Sequence, residues 1–107
     1  MRVYIDSCLL IYAVESPATA GAPVLKAVAD SPDGMRFAVS GLVWTECLVK
    51  PLRLGNKALS ESFGDTLAEF EQLEFTQDVF IRAAELRAAH GLRTPDALHV
   101  ACAVIHG

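Results

Sequence analysis

Val3-Tyr4-Ile5-Asp6-Ser7, followed by Cys8-Leu9-Leu10-Ile11-Tyr12-Ala13-Val14-Glu15, passes from a short apolar run through an acid into a helical stretch. Arg2 to Ile5 reads as a short buried strand. Leu9, Leu10, Ala13 and Val14 then recur at the spacing of one helical face. The pattern repeats down the chain. Phe37-Ala38-Val39 precedes Ser40, an N-cap for a helix that is expected to run to about Lys50 and to stop at Pro51. A helix over about Thr19 to Asp30 lies between these units, with Pro23 near its first turn. Asn56 opens another helix, striped by Leu59, Phe63, Leu67 and Phe70. Leu73 to Phe75 reads as a third strand. Asp78 is expected to cap a helix ending at Gly91, and Thr94 to cap the last one, with Pro95 at its first position. Strands near 2–5, 36–39 and 73–75 alternate with helices, and no hairpin turn joins any two of them. This predicts an α/β fold, three layers α/β/α, with a short parallel sheet.

Three acids stand where apolar runs meet helices. Asp6 follows the first strand, Glu46 lies in the helix after the second, and Asp96 sits in the first turn of the last helix. In open parallel sheets, ligand sites lie outside the carboxyl ends of the strands. Carboxylates from separate segments, brought together there, make a site for a hard divalent cation such as Mg²⁺. Each acid also has a plainer reading. Asp6 could be a helix cap, Glu46 a solvated side chain, and Asp96 a partner of the helix dipole. Against the second stand Leu42, Val43, Trp44, Cys47 and Leu48, which leave little of that helix polar.

Composition narrows the class. One domain is expected for 107 residues. The hydrophobic share is 52% and mean hydropathy is +0.34, yet no apolar run approaches the ~18 residues of a membrane span. The first apolar stretch is interrupted by Asp6, so a cleavable leader is not expected, and the implied address is the cytoplasm. Net charge is −4, whereas proteins that grip nucleic acid by charge alone are usually basic. A polyanionic substrate would therefore need a metal or a local basic patch to offset the acids. Cys8, Cys47 and Cys102 fit no zinc spacing and read as buried free thiols.

Val3-Tyr4-Ile5-Asp6-Ser7, Ser40-Gly41-Leu42-Val43-Trp44-Thr45-Glu46 and Leu92-Arg93-Thr94-Pro95-Asp96-Ala97-Leu98-His99-Val100-Ala101 together resemble PIN-domain ribonucleases, above all the VapC-type toxins of toxin–antitoxin pairs. The resemblance spans the chain in order, and its third motif is the most specific. It implies that Asp6, Glu46 and Asp96 are both the catalytic acids and the Mg²⁺ or Mn²⁺ ligands. It implies Ser7, Ser40 and Thr94 as hydroxyls beside the site. The implied reaction is endonucleolytic hydrolysis of RNA by metal-activated water, and the implied partners are a cognate antitoxin and a second copy in a homodimer. Family members carry a fourth acid and two further strands beyond the position of Gly107, in sheet order 3-2-1-4-5. The chain is accordingly expected to be a single PIN-like domain, 1–107, incomplete at its C-terminus, with strand 1 at a sheet edge.

Arg93, next to the Asp96 motif, is the candidate for substrate contact. Lys50, Arg53 and Lys57 could touch phosphates or simply face solvent. His99 lies one turn after Asp96 and reads as a packed or hydrogen-bonded histidine that could also orient a ligand. A rival reading from another class is a catalytically impaired PIN remnant that binds an antitoxin or dimerises without cleaving RNA. No Gly-rich phosphate loop or Gly-x-Ser-x-Gly elbow is present.

Overall fold

The computed structural model describes residues 2–107. Among them the order is β1 (Arg2–Tyr4), α1 (Ser7–Glu15), α2 (Ala22–Ala29), β2 (Arg36–Ser40), α3 (Gly41–Arg53), α4 (Lys57–Ala68), β3 (Glu71–Leu73), α5 (Gln77–His90) and α6 (Thr94–His106). The strands form one parallel sheet in the order β1-β2-β3, with Val3 opposite Phe37 and Val39 opposite Gln72. This is the expected α/β fold with its short parallel sheet, and β1 is an edge strand.

The central strand explains the layering. Successive side chains on a strand point to opposite faces. Val39 joins a core with Ile5, Leu10, Val43, Cys47, Phe63 and Leu67, drawn from α1, α3 and α4. Ala38 joins a second core with Leu73, Val79, Ala83, Ala97, Ala101 and Cys102, drawn mainly from α5 and α6. Both faces of β2 are therefore covered by helices, as a parallel sheet requires. The second core is built largely of alanines, which let α6 lie close to the sheet. At the amino end, the Arg2 guanidinium donates to both Glu71 carboxylate oxygens, at 3.1 and 2.9 Å, and to the His106 carbonyl at 2.6 Å. One side chain thus ties β1, β3 and the end of α6.

Several boundaries differ from expectation. The third strand is Glu71–Leu73, not 73–75. Ser40 pairs with Leu73 and α3 starts at Gly41, so Glu74 and Phe75 have no β2 backbone left to pair with. The third helix runs through Pro51 to Arg53. Proline costs one helical hydrogen bond there, but Pro51 is fully buried and its carbonyl accepts the Asn56 N–H at 2.9 Å. The caps of the last two helices also shift. Thr76, not Asp78, precedes α5, and Asp78 lies in its first turn. Arg93, not Thr94, precedes α6: its backbone is extended and its carbonyl accepts the Ala97 N–H at 2.9 Å. The second helix starts at Ala22, because residues 17–21 form a turn bonded back to the Ser16 carbonyl. Gly21 closes that turn against the Tyr12 carbonyl, where a Cβ would collide. No helix among the described residues is long and apolar enough to cross a membrane.

Cys47 and Cys102 are buried, as expected, but Cys8 is exposed in the first turn of α1. Burial pushes the Cys47 thiol up to about 12 and the Cys102 thiol up to about 11. The thiolate is the reactive form, so these two groups are both shielded and protonated. Iodoacetamide at about pH 8 should therefore modify Cys8 alone in the native protein, with Cys47 and Cys102 reacting only after denaturation. Mass spectrometry showing rapid native modification of Cys47 or Cys102 would contradict this packing.

Candidate active site

β1 and β2 deliver their carboxyl ends side by side, and the polar side chains collect there. Asp6 directly follows this edge. Its extended backbone makes it the N-cap of α1, and its Oδ1 accepts the Leu9 N–H at 3.2 Å. The helix-cap reading of Asp6 is thus correct, and its other oxygen has no protein partner among the described residues. Glu46 lies on α3, and its side chain reaches across to α6. Its Oε1 is 2.6 Å from His99 Nε2. It is not on a purely solvated face.

His99 continues the contact. Its Nδ1 is 2.7 Å from the Tyr4 hydroxyl, which is 2.7 Å from Ser40 Oγ. Ser40 is fully buried. It occupies the N-cap position of α3 without capping it, because its hydroxyl is spent on Tyr4. Four side chains from β1, β2, α3 and α6 therefore bond in series. The Tyr4 phenol is pushed up to about 12, first by burial and then by the neighbouring Cys102, Glu46 and Asp6 charges, with the Ser40 bond opposing. Asp6, Tyr4 and His99, with Leu9, Val100 and Ala103, line a cleft of about 240 Å³.

Asp96 is exposed in the first turn of α6, and its Oδ2 meets Arg93 Nε at 3.1 Å. A surface pair of this kind is worth at most about 1 kcal/mol, so it restrains neither side chain strongly. Arg93 therefore stands beside the acid and is mostly open to solvent. Ser7 begins α1 and is half-buried, while Thr94 begins α6 and is exposed. Lys50 pairs with Glu15 at 3.3 Å. Among the described residues, no group of three or more His, Cys, Asp or Glu side chains is placed to hold a metal ion. The chemistry of the donors nonetheless fits one. Asp6, Glu46 and Asp96 are hard oxygen ligands of the kind Mg²⁺ and Mn²⁺ take. Each keeps one carboxylate oxygen without a protein hydrogen bond among the described residues.

Sequence reasoning singled out His99 but not Tyr4. Tyr4 lies two residues before Asp6 on β1 and was legible only as part of an apolar strand. The signal for His99 was its position one turn after Asp96.

The raised Tyr4 value has a consequence for stability. The folded state holds the phenol proton more tightly than the unfolded chain, whose value is near 10.0. This contribution is complete below that value and is lost as pH rises through it toward about 12. The urea midpoint should therefore fall across this window by more in the native protein than in Tyr4→Phe. Parallel curves for the two would show that the phenol is not shielded.

The chain matches the PIN domain family over residues 3–107. Two solved structures share its fold. One is a toxin–antitoxin complex from Klebsiella pneumoniae, with TM-score 0.77 and 24% identity, covering 97% of this chain and 79% of that chain. The other is VapBC2 from Rickettsia felis bound to a DNA fragment from their promoter, with TM-score 0.79 and 19% identity, covering 99% of this chain and 82% of that chain. No curated protein matches it. With a family match running from the first strand to the last helix, and acids at the carboxyl ends of a parallel sheet, the chain belongs to the PIN domain family.

Proposed function

We propose that this chain is a metal-dependent endoribonuclease, the VapC-type toxin of a toxin–antitoxin pair. The observation that carries the reading is the family match over residues 3–107, taken with Asp6 just past β1 and Glu46 joined to Tyr4 of β1 through His99. Asp6, Glu46 and Asp96 would hold a Mg²⁺ or Mn²⁺ ion. Bound there, the ion supplies a lowered water pKa and charge neutralisation at a phosphodiester.

The chain's own residues do the rest. Asp6 is steadied by the α1 N-terminus, so its free oxygen has a fixed place. Glu46 is aimed by His99. Asp96 would join them as a third oxygen ligand, and Arg93, held to it only by a weak surface pair, would be free to meet an RNA phosphate. Net charge −4 offers no general attraction for RNA, so substrate affinity would depend on the metal and on local cations such as Arg93. Ser7 and Thr94, at the starts of α1 and α6, would bond water or phosphate beside the acids.

The two structural neighbours are toxin–antitoxin assemblies, which supports an antitoxin as partner. A homodimer in the cytoplasm completes the proposal, with exposed Val100, Val104 and Ile105 as apolar surface for a second chain.

A fluorogenic RNA assay tests this reading. Cleavage should require Mg²⁺ or Mn²⁺ and vanish with chelator. Asp6→Asn and Glu46→Gln should each lower the rate on the order of 100-fold, while both variants stay folded. Activity surviving chelation would sink the mechanism, and RNA left intact by a folded, metal-supplied protein would favour an antitoxin-binding module instead.

A further inference from the structure

We propose that Tyr4 and His99, anchored by Ser40, are positioning residues that aim the Glu46 carboxylate at a divalent cation. The inference rests on the metal-dependent reading above and deepens it.

The series Ser40–Tyr4–His99–Glu46 has contacts of 2.7, 2.7 and 2.6 Å. Its start is immobile: Ser40 has no exposed surface and forgoes its capping role to bond Tyr4. Its end is not immobile by itself. Glutamate has three side-chain torsions, and Glu46 is partly exposed, with 31% of its side-chain surface open. A lone glutamate in that setting would sample many rotamers. Tethering Oε1 removes most of that freedom and leaves Oε2 without a protein partner among the described residues.

The proton inventory suits a one-way chain. The three contacts admit one arrangement in which the Ser40 O–H donates to the Tyr4 oxygen, the Tyr4 O–H to His99 Nδ1 and the His99 Nε2–H to Glu46 Oε1. In that arrangement every donor points toward the carboxylate, so each bond polarises the next. Carboxylates that ligate metals are commonly held by such outer hydrogen bonds, whose removal costs about 10- to 100-fold in metal affinity. The cleft beside Tyr4 and His99 is also lined by Asp6, and Glu46 reaches that pair through its contact with His99.

A purely structural role predicts something else. A chain that only pinned α6 to the sheet would affect stability and leave metal affinity alone. The test is Mn²⁺ titration of the folded, metal-free protein by calorimetry, with thermal melting recorded alongside. The variants are Tyr4→Phe, His99→Leu and His99→Gln, with Asp6→Asn as control. Mn²⁺ affinity should fall about 10- to 100-fold in Tyr4→Phe and His99→Leu. It should recover substantially in His99→Gln, whose amide can accept from Tyr4 and donate to Glu46. Native affinity in either Tyr4→Phe or His99→Leu overturns the proposal, even if melting falls. If His99→Leu does not fold, Tyr4→Phe, which removes one oxygen, and His99→Gln decide. A native protein that binds Mn²⁺ no better than Asp6→Asn would instead overturn the metal-dependent reading itself, and this inference with it.

Discussion

The packing of β2 on both faces is the constraint on which the rest of the molecule depends. Ala38, Val39 and Ser40 have no exposed surface, and each looks into a different environment. Val39 faces the branched and aromatic core under α1, α3 and α4. Ala38 faces the alanine-rich core under α5 and α6. A parallel sheet of three short strands has little backbone pairing of its own, so helices must bury both faces. The two cores do that, and they also fix where the strands end.

Those ends set the chemistry. β1 and β2 run in the same direction and in register, so their carboxyl ends open side by side. Asp6 then caps α1, Ser40 precedes α3, and α6 crosses close enough to present His99 to Tyr4 of β1 and Glu46 of α3. The small residues Ala38, Ala97 and Ala101 matter here, because bulk at those positions would push α6 away from the sheet. Core packing and polar geometry are therefore the same problem in this protein. The interior leaves no buried side-chain polar atom unpaired among the described residues, which is the condition for a hydrogen-bonded series to hold one arrangement.

The three candidate acids are unequally restrained. Asp6 is held by its own helix and Glu46 by a side chain from another layer. Asp96 is held only by an exposed neighbour, Arg93, 84% of whose side chain is open to solvent. An acid paired with a mobile cation at a helix start can exchange that cation for another ligand at little cost.

The sequence by itself determined the class of fold, because alternating strand and helix patterns without hairpin turns leave only a parallel α/β arrangement. It also singled out Asp6, Glu46 and Asp96 as candidates, since each falls where an apolar run meets a helix or a helix begins, but among the described residues no three such side chains are placed to hold one metal ion. It did not determine the ends of elements. Pro51 continues its helix, and β3 stops at Leu73, because burial and the length of the neighbouring strand outweigh local preference. Nor did it determine the partners of the acids. Ser40, Tyr4, His99 and Glu46 are separated by as many as 95 residues, and no local pattern relates them. Only when β1 lies beside β2 and α6 lies over both does a strand tyrosine become the link between a buried serine and a helical histidine. That meeting is a property of packing, since hydrogen-bond partners are decided by distance in space and not along the chain.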